Sequence, residues 1–254
     1  MSQGKKYLSP DDWRKKQEED VRQRRFKKPL TANHLAYKKA IESNRYVICT
    51  GYAGCGKTYL ACEVGVRLVN ERKIDKIIIT RPLVECGGKV GFLPGNIDEK
   101  TGPYLAPMTA ALKEILTEKI YEEWKVEGKI LIYPIEYMRG STHTDALVIV
   151  DEAQNATFEQ LRMVMTRLGH NCIMAINGDT TQNDLKYISP LIRVCDSLSM
   201  TPTRNDISFI HMERSDCLRP EIIQFVDERL SGDYSGDECG NEPDDGPIQY
   251  WDAY

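Results

Sequence analysis

The sequence predicts an α/β fold: a mostly parallel β-sheet flanked by helices, with a ligand site along the carboxyl ends of its strands. Three observations predict it. Short β-branched apolar runs alternate with helix-period segments along the chain, the pattern of right-handed crossovers in a parallel sheet. Residues Gly51 to Thr58 read G-x-x-x-x-G-K-T between one such strand and one such helix, the context a phosphate-binding loop requires. Carboxylate and amide residues suited to chemistry stand just after other strand ends, where open α/β sheets bind ligands.

The elements follow in order. Thr31 to His34 starts a helix with apolar positions Leu35, Ala36, Ala40 and Ile41, and its start lies towards the base of any nucleotide on the loop. Tyr46 to Thr50 is a buried strand, and Leu60, Ala61, Val64 and Leu68 fall on one face of the helix after Thr58. Lys76 to Thr80 is the next strand, then Arg81-Pro82 and a Gly-rich loop from Cys86 to Gly95. Pro107 opens a helix carrying Met108, Leu112, Ile115, Leu116 and Ile120. Strands at Lys129 to Tyr133 and Ala146 to Val150 precede a helix with Phe158, Leu161, Val164, Met165 and Leu168 on one face. Asn171 to Ile176 is a strand, Pro190 to Leu198 a helix, Ile207 to Ile210 a strand and Pro220 to Leu230 a helix.

Charge divides the chain into three parts. Residues 1–30 hold ten Lys/Arg against five Asp/Glu, a basic arm that either grips phosphates or forms a solvated helix. Residues 31–230 make the domain. Residues 231–254 hold seven Asp/Glu and no Lys/Arg and read as an acidic disordered tail. No apolar run approaches the roughly 18 residues of a membrane span. The eight cysteines include no C-x-x-C pair, and the four histidines are scattered away from them. They read as reduced thiols without a zinc site, which places the chain in a cytoplasm.

The chemistry of the motifs is specific. Glycines let successive N–H groups of the loop turn inward to phosphate oxygens, and the helix that follows adds its positive end. Lys57 neutralises β- and γ-phosphates, and the Thr58 hydroxyl ligates Mg²⁺. Val148-Ile149-Val150-Asp151-Glu152 ends a strand in two carboxylates: the first suits Mg²⁺, the second orients or deprotonates water. Gly178-Asp179-x-x-Gln182 follows the next strand, and its glutamine amide can sense a γ-phosphate. Cys55, inside the loop, is a candidate for oxidation sensitivity.

Taken with Thr80-Arg81-Pro82, Gly91 to Gly95, Glu99-Lys100, Pro103 to Leu105, Tyr137 to Gly140, Asp151 to Asn155 and Thr166 to Gly169, these motifs resemble the PhoH-like family of ATPases over roughly residues 31–230, in the short form frequent in phages. Asp151 to Gln154 and Gly178 to Gln182 also resemble the ATPase half of superfamily 1 helicases. The resemblance implies a P-loop, RecA-like three-layer core, ATP hydrolysis with Mg²⁺, and a link to RNA or single-stranded nucleic acid. It implies nucleotide contacts from Asn33, His34, Gly51, Tyr52, Ala53, Gly54, Cys55, Gly56, Lys57, Thr58 and Tyr59. Catalysis falls to Lys57, Glu152 and Gln182, with Arg167 or Arg219 as the arginine finger. Arg81, Lys89, Tyr104 and Arg139 are the nucleic-acid candidates, offering charge for phosphates and an aromatic ring for stacking.

The chain departs from the family at Tyr52 and Cys55, where Pro and Thr are usual, and at His34, where Gln is usual. Neutral His offers one donor and one acceptor in a geometry unlike glutamine's, which leaves ATP-over-GTP selectivity open. The sequence has no room for the nuclease domain of longer relatives or the second RecA-like domain of a helicase. A neighbouring subunit would then supply the second wall of the cleft, in a homo-oligomer such as a hexameric ring. Two rival functions remain: a nucleotide-dependent switch or scaffold acting on a protein partner, and a phosphotransferase onto a small molecule. The latter lacks an acceptor pocket and a lid in the sequence.

Overall fold

The computed structural model describes residues 28–83, 97–179, 189–200 and 204–230. Most of the basic arm, the acidic tail, Lys89 and Gln182 lie outside the described residues.

Six strands form one sheet: β1 (Tyr46–Gly51), β2 (Lys76–Arg81), β3 (Ile130–Pro134), β4 (Ala146–Val150), β5 (Cys172–Gly178) and β6 (Ile207–Met212). Their order is β3-β2-β4-β5-β1-β6. Every described pairing is parallel, so the carboxyl ends of all six strands share one edge. Each of the six apolar runs read as strands from the sequence is a strand here.

The strands are apolar on both sides because helices cover both faces. Successive residues alternate between two cores. Val47, Cys49, Ile77, Ile79, Leu147, Ile149 and Ala175 join one face; Ile48, Ile78, Ala146, Val148, Val150, Met174 and Ile176 join the other. The first face is covered by α1 (Ala32–Ser43), α2 (Lys57–Asn70), α3 (Ile97–Leu116) and α4 (Glu118–Val126). The second is covered by α5 (Phe158–Met165) and α6 (Pro190–Ser199). This is a three-layer sandwich. Gly65 of α2 sits against the sheet where a Cβ would lie 3.1 Å from Ile77 and Leu147, so a larger residue would lift the helix.

Three helix boundaries differ from expectation. Pro107 does not open its helix; α3 begins ten residues earlier and carries both Pro103 and Pro107 inside it. Interior proline costs a hydrogen bond, and burial of Leu105, Met108, Leu112 and Leu116 offsets it. Ile120 belongs to α4, because Thr117 adopts φ 68° and breaks the chain direction between the two helices. Likewise α5 stops at Met165, short of Leu168.

The chain falls into two compact units, one up to Leu218 and one from Arg219 onward. Within the second, α7 (Glu221–Leu230) presents Ile222, Ile223, Phe225 and Val226 exposed. Arg229 lies over the Phe225 ring at 5.2 Å.

Candidate active site

The loop from β1 to α2 is shaped by three glycines with positive φ: Gly51 at 142°, Gly54 at 84° and Gly56 at 76°. At Gly51 a side chain is also excluded by space, since a Cβ would lie 2.2 Å from the Met212 carbonyl oxygen on β6. Gly56 in left-handed conformation caps α2, whose N-terminal end thus faces into the loop. The Lys57 ammonium bends back over this concavity and donates to the carbonyls of Gly51 (2.5 Å) and Tyr52 (2.8 Å).

The sheet order then decides the geometry. Strand β5 lies between β1 and β4, separating the loop strand from the carboxylate strand by about 10 Å, two strand spacings. The first turn of α2 closes that gap: the Thr58 hydroxyl donates directly to the Asp151 carboxylate. Asp151 is buried. Burial pushes its carboxyl above the usual carboxylate range, opposed by the Thr58 hydrogen bond and reinforced by adjacent Glu152. A hydroxyl and a carboxylate oxygen are hard ligands that suit Mg²⁺, which takes few protein ligands alongside substrate phosphates. Among the described residues no group of three or more His, Cys, Asp or Glu could hold a metal.

Glu152 adopts φ 50°, ψ 43°, a left-handed backbone uncommon outside glycine. Its carboxylate is engaged on both oxygens. Gln154 Nε2 donates to Oε2 at 2.5 Å, and the Arg81 guanidinium lies 3.7 Å from Oε1. Gln154 in turn accepts from the Asp179 amide at 2.9 Å. Gln154 and Asp179 are both buried at the end of β5. The sequence alone assigns no role to Gln154; its one signal is its place three residues after Asp151.

The start of α1 packs against the loop. His34 is fully buried. The Thr31 amide donates to its Nδ1 at 2.9 Å, which leaves Nε2 to donate to the Cys55 carbonyl at 3.0 Å. Both ring nitrogens are thus engaged inside the protein, and His34 links the start of α1 to the phosphate loop. Asn33 donates to Asp216 at 2.8 Å, and Thr31 Oγ1 does so at 2.5 Å. Burial raises the Asp216 carboxyl, but these bonds and one from the Glu213 amide outweigh it and hold it below the ordinary range.

The segment after β6 braces the loop from another side. The Leu218 amide donates to the Gly54 carbonyl at 3.1 Å, and the Cys217 thiol points to the Ala53 carbonyl at 3.8 Å. Arg214 stacks on the Tyr52 ring, 4.8 Å from its centroid. Cys55 is fully buried, its thiol directed to the Glu213 carbonyl at 3.5 Å, and burial pushes it up to about 11. That is a structural thiol rather than a reactive one. Tyr59 is buried in α2.

The remaining candidates are spread. Arg167 lies just beyond α5, where its carbonyl accepts from His143 ahead of β4 at 2.9 Å. That is the amino-end edge of the sheet, opposite the loop. Arg219 is exposed in the second unit. Arg81 stands at the carboxyl edge, in register with Pro134 at the end of β3, and Arg139 is exposed beyond the short helical turn Ile135–Met138 that follows. Tyr104 is a residue of α3 whose side chain is outside the described ones.

A parallel three-layer sheet, a phosphate loop on β1 and paired carboxylates one strand removed from it together define the P-loop nucleotide-hydrolase fold. The chain belongs to the family of PhoH-like proteins, whose model matches residues 27–230. It is 39% identical to a PhoH-like protein of Synechocystis over 199 residues, covering 78% of this chain and 60% of that protein. To Protein PhoH of Escherichia coli K12 it is 38% identical over 213 residues, 80% of this chain and 59% of the relative. The chain thus spans about three fifths of the length of these relatives. Among solved structures, the large terminase of a thermophilic bacteriophage is similar with a TM-score of 0.54 at 12% identity, over 80% of this chain and 50% of that one. That likeness is one of fold. No helix among the described residues is long and apolar enough to cross a membrane.

Proposed function

We propose that the chain is an Mg²⁺-dependent ATPase whose turnover is coupled to single-stranded nucleic acid, with RNA unwinding or turnover as the output. The observation that carries the catalytic half is the contact of Thr58 with Asp151, with Glu152 beside it. Loop amides and Lys57 would hold the phosphates, Lys57 exchanging its carbonyl partners for phosphate oxygens. Mg²⁺ held by Thr58 and Asp151 would neutralise phosphate charge. Glu152 would take the proton of the attacking water and Gln182 would sense the γ-phosphate. An arginine would complete the site, either Arg219 or, from a neighbouring copy in a ring, Arg167. The protein would work in the cytoplasm, that of a bacterial host if phage-encoded.

The coupling to nucleic acid rests on Arg81 at the carboxyl edge, with Lys89, Tyr104 and Arg139 as further contacts. Steady-state ATP hydrolysis with and without single-stranded RNA or DNA, beside Glu152→Gln, tests the reading. Turnover that rises with nucleic acid and vanishes in the variant is expected. Turnover that needs Glu152 but ignores nucleic acid would favour the second reading, a nucleotide-dependent switch acting on a protein. The exposed apolar residues of α7 favour that reading.

A further inference from the structure

We infer that Arg81 is a positioning residue that holds the Glu152 carboxylate away from its hydrolytic pose until an anionic strand takes the guanidinium. The inference rests on the proposed nucleic-acid-coupled ATPase and names how that site is regulated.

The pair is fixed by the sheet. Strands β2 and β4 are neighbours with Thr80 opposite Val150, and the Asp151 amide donates to the Thr80 carbonyl at 2.8 Å. Arg81 and Glu152 therefore leave adjacent strand ends side by side. Glu152 cannot orient water freely while Arg81 lies at one carboxylate oxygen and Gln154 at the other. The two holds differ in kind. Gln154 is buried and tied to the Asp179 amide, so it stays. Arg81 stands 3.7 Å from the carboxylate, beyond hydrogen-bond distance, and its side chain is 24% exposed at the carboxyl edge.

A phosphate diester offers that guanidinium a shorter, charge-assisted contact than the one it has. Binding would then remove the cation from Glu152 and leave the carboxylate, steadied by Gln154, to accept the proton from water. The chain would hydrolyse ATP slowly alone and faster on a strand.

The test is steady-state hydrolysis by the full chain, with and without a single-stranded uridine oligonucleotide, for wild type, Arg81→Gln and Arg81→Lys. Arg81→Gln should raise unstimulated kcat by about threefold or more with KM for ATP within about twofold, and the oligonucleotide should add nothing further. Arg81→Lys, which keeps the cation, should restore the low unstimulated rate. In wild type alone, added salt should raise the unstimulated rate by screening this partly exposed pair, an arm that needs no substitution. An unstimulated kcat in Arg81→Gln equal to or below wild type, with no salt effect on wild type, would overturn the inference. A faster Arg81→Gln beside a wild type that ignores the oligonucleotide would keep the restraint and remove nucleic acid from the proposed function.

Discussion

The side-chain oxygen of Gln154 accepts the backbone amide of Asp179 at 2.9 Å, tying the turn after β4 to the end of β5. Its other end donates to Glu152 at 2.5 Å. One buried glutamine thus fixes the candidate base relative to the strand that separates it from the phosphate loop. Gln154→Leu strands the Asp179 amide and frees the carboxylate. Stability should fall by about 1–3 kcal/mol, the cost of an unpaired buried donor. Turnover should fall by about tenfold at unchanged KM, as for a mispositioned group. Urea unfolding and steady-state kinetics check the two effects; an unchanged kcat would remove Gln154 from the site.

Gly51 is needed twice over, for φ 142° and for the approach of Met212. Gly51→Ala should destabilise the protein by about 3 kcal/mol or more through overpacking and strain. A loss below about 0.5 kcal/mol in urea unfolding, the range of ordinary surface changes, would show that the β1–β6 contact can relax.

Two buried carboxylates should give opposite pH signatures. Asp151 has its folded pKa raised by burial, so the folded state binds its proton more tightly than the unfolded chain. Its ionisation costs stability, a cost that begins near the unfolded value of about 3.9 and is complete above the folded one. Asp151→Asn should therefore raise Tm at neutral pH and not below about pH 4. Asp216 is lowered by its hydrogen bonds from Thr31 and Asn33 against the pull of burial. Its contribution is present above about pH 3.9 and is lost as pH falls through the folded value. Asp216→Asn should lower Tm at neutral pH, with the difference from wild type shrinking in acid. Thermal melts across pH 3 to 8 check both signs.

Cys55 sits in the phosphate loop, yet its thiol stands at about 11. At pH 7 its thiolate fraction is then only about one part in ten thousand. Mild peroxide should leave turnover unchanged, and iodoacetamide should not label Cys55 in the native protein. Rapid loss of activity matched to Cys55 labelling would contradict the burial argument.

How much of this is legible in the sequence follows from the range of each interaction. The six strands are legible because buried parallel strands read as continuous β-branched runs. Lys57, Thr58, Asp151 and Glu152 are legible because motif order and strand ends carry them, and the structure brings them together. The start of α3 is not, because packing of Met108 and Leu112 overrides two prolines. The bond from His34 to the Cys55 carbonyl is not legible either, because neighbours in sequence do not report which way a ring points. Asp216 has no role legible in the sequence: its partner Thr31 is 185 residues away, and no local pattern encodes such a bond.

The central claim is that Glu152 acts on water while Lys57 holds phosphate, and the most direct measurement separates the two. ATP binding by equilibrium titration and hydrolysis by phosphate release should be measured in Glu152→Gln and Lys57→Ala. The account predicts that Glu152→Gln binds ATP about as tightly as wild type and hydrolyses it at least about a hundredfold more slowly, within the general-base range. Lys57→Ala should lose binding. Wild-type turnover in Glu152→Gln, with ATP bound normally, would contradict it.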